Sequence, residues 1–455
     1  MIKTLGEVKN FRYKTILFAI PSWFVWTICL LIYWPGMMSH DSMSQWRQIA
    51  SNEIVDYQPA LHTILMWIVT RISFSPSIVA ITQVLFLGLS SGWVLKNIYK
   101  WGVDFKWVYL TSWLIALSPI NMIMAITIWK DIPYTIVFVT ITGLMFQLVL
   151  KKSSYKLNDK YYIFITGLIF SLAALFRWNG LAVSLSCLFM ILICTKRWRP
   201  SLYIFSITMI VIFLVRGPIF SMLNIKTSEY IFYTLPLHHM GAFLSNEVDF
   251  SEKEIEFLDK IAPTESLWDY DCHVIKNAFG TTLGVDQIYN KDFLIKNGNR
   301  FLSIYFDKLI KNPLIYFNHL KCSSKFIWHP WAKMKRMPLK TVEGIKWIPY
   351  ENEFGITSAS KISSLVLPVT KYIKKTIFIW KPAIFLIVSV FTFGACLYLY
   401  RDKFIFLLFI PIISQTIGIA LLTNSQEFRY QYPVIFVGHF IWLLVLRSKE
   451  LKLNE

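Results

Sequence analysis

The chain has 455 residues, 55% of them hydrophobic and 17% aromatic, with a mean hydropathy of +0.49. Its 46 Lys+Arg outnumber its 27 Asp+Glu to give a formal net charge of +19, but no soluble basic domain or nucleic-acid motif accompanies that excess, so nucleic acid is excluded as a partner. Apolar runs of about 17–25 residues recur along the chain and match a bilayer core. The class is therefore an all-α integral membrane protein, with the basic excess as the loop charge that orients it.

In chain order, Lys3, Lys9, Arg12 and Lys14 precede an apolar segment from about Thr15 to Trp34. It is long and lacks a small-residue cleavage site, so it reads as a retained helix with a cytoplasmic N-terminus. It exits at Pro35-Gly36 into a first external loop, residues 35–75. That loop carries the polar stretch Ser39–His62, with Asp41, Asp56 and Tyr57-Gln58-Pro59. Within the loop, Ala60–Phe74 is apolar but too short to span, is interrupted by Arg71, and reads as an interfacial helix. The next spans are Pro76–Leu95, Trp107 to about Thr127 with a kink at Pro119, Pro133–Leu150, Tyr161 to about Phe176, Leu181–Cys194, and Leu202 to about Leu223.

The polar stretch 224–375 keeps aromatic and amphipathic content, which predicts an extracytoplasmic α-rich domain. Ser251-Glu252-Lys253-Glu254 is a capping box, and Phe301–Ile310 an amphipathic helix stopped at Asn312-Pro313. Trp328–Lys340 has the aromatic and basic mixture of a segment lying on headgroups. Thr376–Tyr400, Phe404–Thr423 and Val434–Leu446 complete about ten spans. The Lys/Arg bias of the short loops puts both termini in the cytoplasm. The expected divisions are 1–223, 224–375 and 376–455. Six cysteines lack metal-ligand spacing. Cys29, Cys187, Cys194 and Cys396 fall in apolar helices as packing residues, and Cys272 and Cys322 would pair if their loop is extracytoplasmic.

This topology carries Asp41, Lys130-Asp131, Arg177, Arg216, His238-His239 and Glu427-Arg429 to the extracytoplasmic face. The cytoplasmic ends are mainly basic, whereas these ends mix acids, bases and amides, which argues for one site over general polarity at helix ends. Asp41 can take a proton from a hydroxyl or hold a divalent cation, or it can cap a surface helix through Met43–Ile49. Asp131 is either a second carboxylate facing Asp41 or a helix cap before Pro133. Arg177, Arg216 and Arg429, with Lys130, suit a phosphate clamp; headgroup contact or pairing with Glu427 are the other readings. His238-His239 could bind a metal or an acceptor, but without a third spaced ligand they favour a polar surface. His439 reads as packed within the last span.

Several short motifs occur in a telling order. They are Trp34-Pro35-Gly36 with Asp41-Ser42, then Tyr57-x-Pro59-x-Leu61, Lys130-Asp131-x-Pro133, Phe176-Arg177-Trp178-Asn179-Gly180, Pro236 to Met240, and Glu427-x-Arg429-Tyr430. The chain thereby resembles the GT-C superfamily of polytopic glycosyltransferases, which use polyisoprenyl-phosphate sugars, and a group of bacterial membrane proteins placed near it. The resemblance covers the first half and the C-terminal helices.

It implies a GT-C-like bundle in a bacterial cytoplasmic membrane with its active site outside. The sugar would pass from an undecaprenyl-phosphate donor to a hydroxyl of an envelope glycan, teichoic acid or lipid. Asp41 is then the base or a metal ligand, and Asp131 holds it or the metal, a divalent cation such as Mg or Mn. Lys130, Arg177, Arg216 and Arg429 face the donor phosphate, and Tyr57, His62, Asn179, His238, His239, Glu427 and Tyr430 serve the acceptor or support. Two departures stand out: Gln58 in place of Lys before Pro59, and no Asp-x-Asp or Asp-Glu pair in the first loop. A polymerase or ligase acting on polyprenyl-diphosphate glycans is a second expectation. A flippase is a third, opposed by charges gathered at one surface and no visible repeat.

Overall fold

The computed structural model describes residues 13–150, 156–246, 248–275, 290–332, 354, 356 and 380–447. Among them there is no strand, only four isolated bridges, and the fold is all-α. Seven helices among the described residues are long and apolar enough to cross a membrane: α1 (Tyr13–Ile32), α4 (Pro76–Lys100), α7 (Asp131–Leu150), α10 (Trp198–Met222), α17 (Pro382–Tyr400), α18 (Ile405–Leu422) and α19 (Phe428–Leu446). An eighth is formed if α5 (Phe105–Leu117) and α6 (Pro119–Ile126) count as one span bent by 61°. The break falls at the expected residue: Pro119 opens α6, has no N–H to continue the ladder of α5, and pushes Ser118 to extended backbone.

Two helices are shorter. α8 (Lys160–Phe176) and α9 (Gly180–Thr195) have 17 and 16 residues, rising about 26 and 24 Å against a hydrocarbon core of about 30 Å. Between α1 and α4 lie α2 (His40–Ser51) and α3 (Ala60–Val69). The 10 residues of α3 rise about 15 Å, half a bilayer, so the apolar run after the first loop is indeed too short to span. Polar caps fix the entries: Ser75, Asp104 and Asp159 side chains accept backbone N–H groups of α4, α5 and α8.

Burial sorts the spans. In an 18-residue apolar stretch of each span, 78% of the residues are buried in α7 and 72% in α19, which form the centre, against 11% in α10 and 22% in α17, which present most of their surface outward. Cys29, Cys187, Cys194 and Cys396 are buried as packing residues. His439 is buried too, bonded to the Ser118 hydroxyl at 2.9 Å and to the Ile435 carbonyl at 2.8 Å.

The described part of the large polar stretch contains α11 (Thr234–Leu244), α12 (Glu252–Asp259), α13 (Lys291–Lys296), α14 (Gly298–Lys311), α15 (Pro313–Ser323) and α16 (Lys325–Trp328). It has its own core, built on Leu237, Met240, Phe243, Leu258, Phe301 and Tyr305. The Ser251–Glu254 capping box is present, and α14 stops at Asn312 before Pro313 opens α15. Cys272 and Cys322 are disulfide-bonded. Of the aromatic and basic segment expected at 328–340, residues 333–340 lie outside the described residues, as do 376–379 at the expected start of the next span.

Candidate functional site

The first loop is placed by backbone pairing. Met37 N–H donates to the Ile126 carbonyl and Ile128 N–H to the Met37 carbonyl, both at 2.9 Å, which lays the entry to α2 beside Lys130-Asp131. Ser39 caps α2, with Ser42 reciprocating at N3. Asp41 is therefore not the cap; it sits in the first turn, free to point elsewhere. The Trp129 indole donates to the Ser39 hydroxyl at 2.5 Å. Met43, Trp46 and Ile49 bury one face of α2, and the Gln45 amide bonds Thr63 at 2.9 Å and His62 at 3.0 Å, locking α2 to α3. His62 thus supports the platform that carries Asp41.

On this platform converge four elements distant in sequence. Arg429, at the start of α19, donates to Asp41 Oδ2 at 2.5 Å and lies 4.0 Å from Asp131 Oδ2. Its Nε pairs with Glu427, and its guanidinium stacks 4.7 Å from the Trp129 ring. Asp131, whose side chain is fully buried, pairs through Oδ1 with Arg177. Arg177 also bonds Asn179 at 3.2 Å and stacks 4.8 Å from the Tyr430 ring. The Asn179 amide and the Tyr134 hydroxyl both donate to Gln415 Oε1 in α18, at 2.7 and 2.6 Å, and Gln415 donates to the Tyr430 carbonyl at 2.8 Å. The result is an alternating chain, Asp41–Arg429–Asp131–Arg177, with an amide and phenol network behind it.

Burial raises the Asp41 carboxyl, but Arg429, Lys130 and the Gln58 amide outweigh that and hold it at about 2. Gln58, the departure from the family pattern, therefore sits against the central carboxylate. Lys130 is pushed down by burial, supported by Asp41 and Asp131 and opposed by both arginines, to about 8. Among the described residues no carboxylate lies within ion-pairing distance of its ammonium. Lys130 balances the charge of the cluster from a distance, through the fields of Asp41 and Asp131.

Other candidates fall elsewhere. Arg216, in a π-helical turn of α10, pairs with Asp56 at 3.5 Å and stacks 4.1 Å from Trp178. Asp56 in turn accepts the Ala60 N–H at 2.7 Å at the head of α3, and burial raises its carboxyl. Tyr57 is exposed on the same loop. His238 and His239 are buried in the polar domain, not on its surface. Their rings meet His319 at 4.6 and 4.8 Å, while their outer nitrogens bond the Asp271 carbonyl and the Tyr305 hydroxyl at 2.9 and 2.8 Å. One guanidinium nitrogen of Arg429 reaches both Asp41 and Asp131, the two acids expected to hold a cation. Among the described residues, Cys272, His273 and Cys322 alone form a group of three metal-ligand types close enough for an ion, and both of those thiols are engaged in the disulfide.

Sequence reasoning passed over Trp129, Tyr134 and Gln415. A glutamine in the middle of an apolar span was the available signal, since polar groups at that depth need partners. Comparison with protein-family models, with curated proteins and with solved structures finds no match.

Proposed function

We propose that the chain is a GT-C-type membrane glycosyltransferase that moves a sugar from a polyprenyl-phosphate donor to a hydroxyl of an envelope glycan or lipid. The observation that carries this reading is Lys130: a part-buried ammonium that, among the described residues, touches no carboxylate and lies beside two arginines, is a place for an anion. Phosphate suits it because guanidinium and ammonium together match its oxygens. Ten spans result if α8, α9 and the bent pair each cross the bilayer. The Cys272–Cys322 disulfide supports an extracytoplasmic site, since such bonds persist in oxidising compartments.

In the reaction the acceptor hydroxyl attacks the anomeric carbon and its proton passes to Asp41. The bond from that carbon to the phosphate oxygen breaks, and the leaving polyprenyl phosphate keeps the electron pair. It is a stable anion and needs no general acid; Arg429 and Lys130 hold the charge that develops on it. Arg177 fixes Asp131, and Asp131 with Glu427 orients Arg429.

The test is transfer from radiolabelled undecaprenyl-phosphate sugars to envelope extract by the purified chain in nanodiscs. Asp41→Asn is expected to lower kcat by about 10²–10⁴ while leaving the fold unchanged. Equal transfer by both proteins removes Asp41 from the chemistry. No transfer from a broad donor panel sinks the reading and moves a diphosphate-dependent polymerase or a flippase ahead.

A further inference from the structure

A second basic cluster lies at the far end of the bundle. A groove of about 800 Å³ opens between the amino-terminal ends of α8 and α10, lined by Lys160, Lys196, Arg197, Arg199, Tyr203 and Ile207 among others. Its origin is local. The two helices touch where Gly167 lets Ile207 and the Ile204 carbonyl approach to within 2.7 and 3.1 Å of an added Cβ, and the Thr208 hydroxyl donates to the Gly167 carbonyl at 3.2 Å. From that contact the groove opens toward Lys160 and Trp198. α8 separates it from Arg177 by its whole length, about 26 Å, so it is distinct from the site around Asp41.

Among the described residues, Lys160, Lys196 and Arg199 have no carboxylate within ion-pairing distance. Asp159, next to Lys160, is occupied in capping α8 through the Tyr161 and Tyr162 N–H groups. Arg197 is held to the wall by Asn158 at 2.5 Å. Tyr161 and Trp198, 83% and 60% exposed at the same level, mark headgroup depth. Below the cations the walls are apolar, and α10 presents nearly all of its surface outward.

We infer that this groove binds the headgroup of an anionic phospholipid, its phosphate met by Lys160, Lys196 and Arg199 and its chain laid along Tyr203 and Ile207. Charge complementarity selects an anion, and basic pockets between transmembrane helices are suited to acidic headgroups. The apolar walls and the position at the lipid boundary select an amphiphile over a free anion. The site is independent of the transferase reading.

The test uses the full chain, delipidated in neutral detergent and titrated with phosphatidylglycerol, phosphatidylcholine or inorganic phosphate. Bound lipid is read by native mass spectrometry and by Tm. One phosphatidylglycerol per chain is expected, with a raised Tm. In Lys160→Gln/Lys196→Asn/Arg199→Gln, where Asn tolerates the left-handed backbone of residue 196, affinity falls about a hundredfold, at about fivefold per cation removed. The exposed single change Arg199→Gln falls about fivefold, which keeps the test open if the triple variant misfolds. Lys96→Gln/Lys100→Gln/Lys106→Gln, which removes the same charge from the end of α4 and the start of α5, leaves binding intact. Equal weakening by that control, equal binding of phosphatidylcholine, or displacement of phosphatidylglycerol by equimolar inorganic phosphate would each overturn the assignment.

Discussion

The buried Asp131–Arg177 pair offers the sharpest check on the site's architecture. Asp131 is fully buried and the Arg177 side chain is one-tenth exposed, and removing one partner of such a pair costs about 3–5 kcal/mol. The two single variants are not equivalent. After Arg177→Gln, Asp131 still has Arg429 at 4.0 Å, an attraction of about 4 kcal/mol at an effective dielectric of about 20. That places the loss at the lower end, about 3 kcal/mol. Asp131→Asn strands Arg177 and takes an anion from Arg429 as well, which places it at the upper end, about 5 kcal/mol. The double variant removes both the attraction and the burial cost, so it should lose about 5 rather than about 8 kcal/mol, a coupling of about 3 kcal/mol. Thermal denaturation followed by tryptophan fluorescence in one detergent reads all four proteins. At roughly 1–2 °C per kcal/mol for a chain of this length, extended from the trend for smaller proteins, the singles shift by about 3–10 °C. Additive losses, with the double variant near the sum, would refute the pairing.

Three further outcomes follow from single features. In Gly180→Ala the new Cβ meets the Ala173 carbonyl oxygen at 2.0 Å; backbone cannot yield, so α8 and α9 must part at a cost of about 3 kcal/mol, seen as a lowered Tm, and an unchanged Tm would mean the helices do not touch there. Burial drives His238, His239 and His319 below the usual imidazole range, with His239 at about 3 and His319 at about 2. Between about 3 and 6.5 the unfolded chain binds protons that the folded chain does not, so stability falls as pH drops, by up to about 1.4 kcal/mol per pH unit per histidine. Tm should drop from pH 7 to pH 5, and drop less in His319→Gln; a pH-independent Tm would contradict the buried cluster. On the proposed topology, a membrane-impermeant maleimide added to intact cells labels Cys272 and Cys322 only after reduction, because the other four cysteines are buried. Labelling without reduction would deny the disulfide, and labelling only from inverted vesicles would reverse the orientation.

What was legible in the sequence was local or depended only on which end of a span a residue occupies. The break at Pro119, the Ser251–Glu254 capping box and the stop at Asn312-Pro313 each follow from one residue's backbone chemistry. Hydropathy and loop charge were enough to send Asp41, Asp131, Arg177 and Arg429 to one face, and the structure joins Asp41 to Arg429 across 388 positions. End-of-helix reasoning cannot say which neighbours meet within a face. That is why Arg216 was grouped with the central arginines, although α10 lies at the periphery and Asp56 claims its charge. Ser39 takes the cap in place of Asp41 because Ser42, three residues on, can reciprocate. The adjacent histidines looked like surface because two polar residues rarely both turn inward; here aromatic rings and a third histidine from α15 receive them.

The charges at the site limit how a phosphate can enter. Asp41, Asp131 and Glu427 supply three negative charges and Arg177, Arg429 and Lys130 three positive ones, so the ionised cluster is neutral before any ligand arrives. Arg177 is committed to a fully buried acid and stacked against Tyr430, so releasing it would strand a charge in a dry place. Arg429 holds Asp41, whose side chain is one-third exposed, and exchanging that contact for a phosphate strands nothing. On the proposed reading the donor phosphate therefore engages Lys130 first and then draws Arg429 away from Asp41. With the cation that holds it near 2 turned aside, Asp41 becomes a stronger base just as the donor is seated. A carboxylate that was basic at all times would also activate water in the empty site; one whose basicity depends on phosphate occupancy acts only when there is a sugar to transfer.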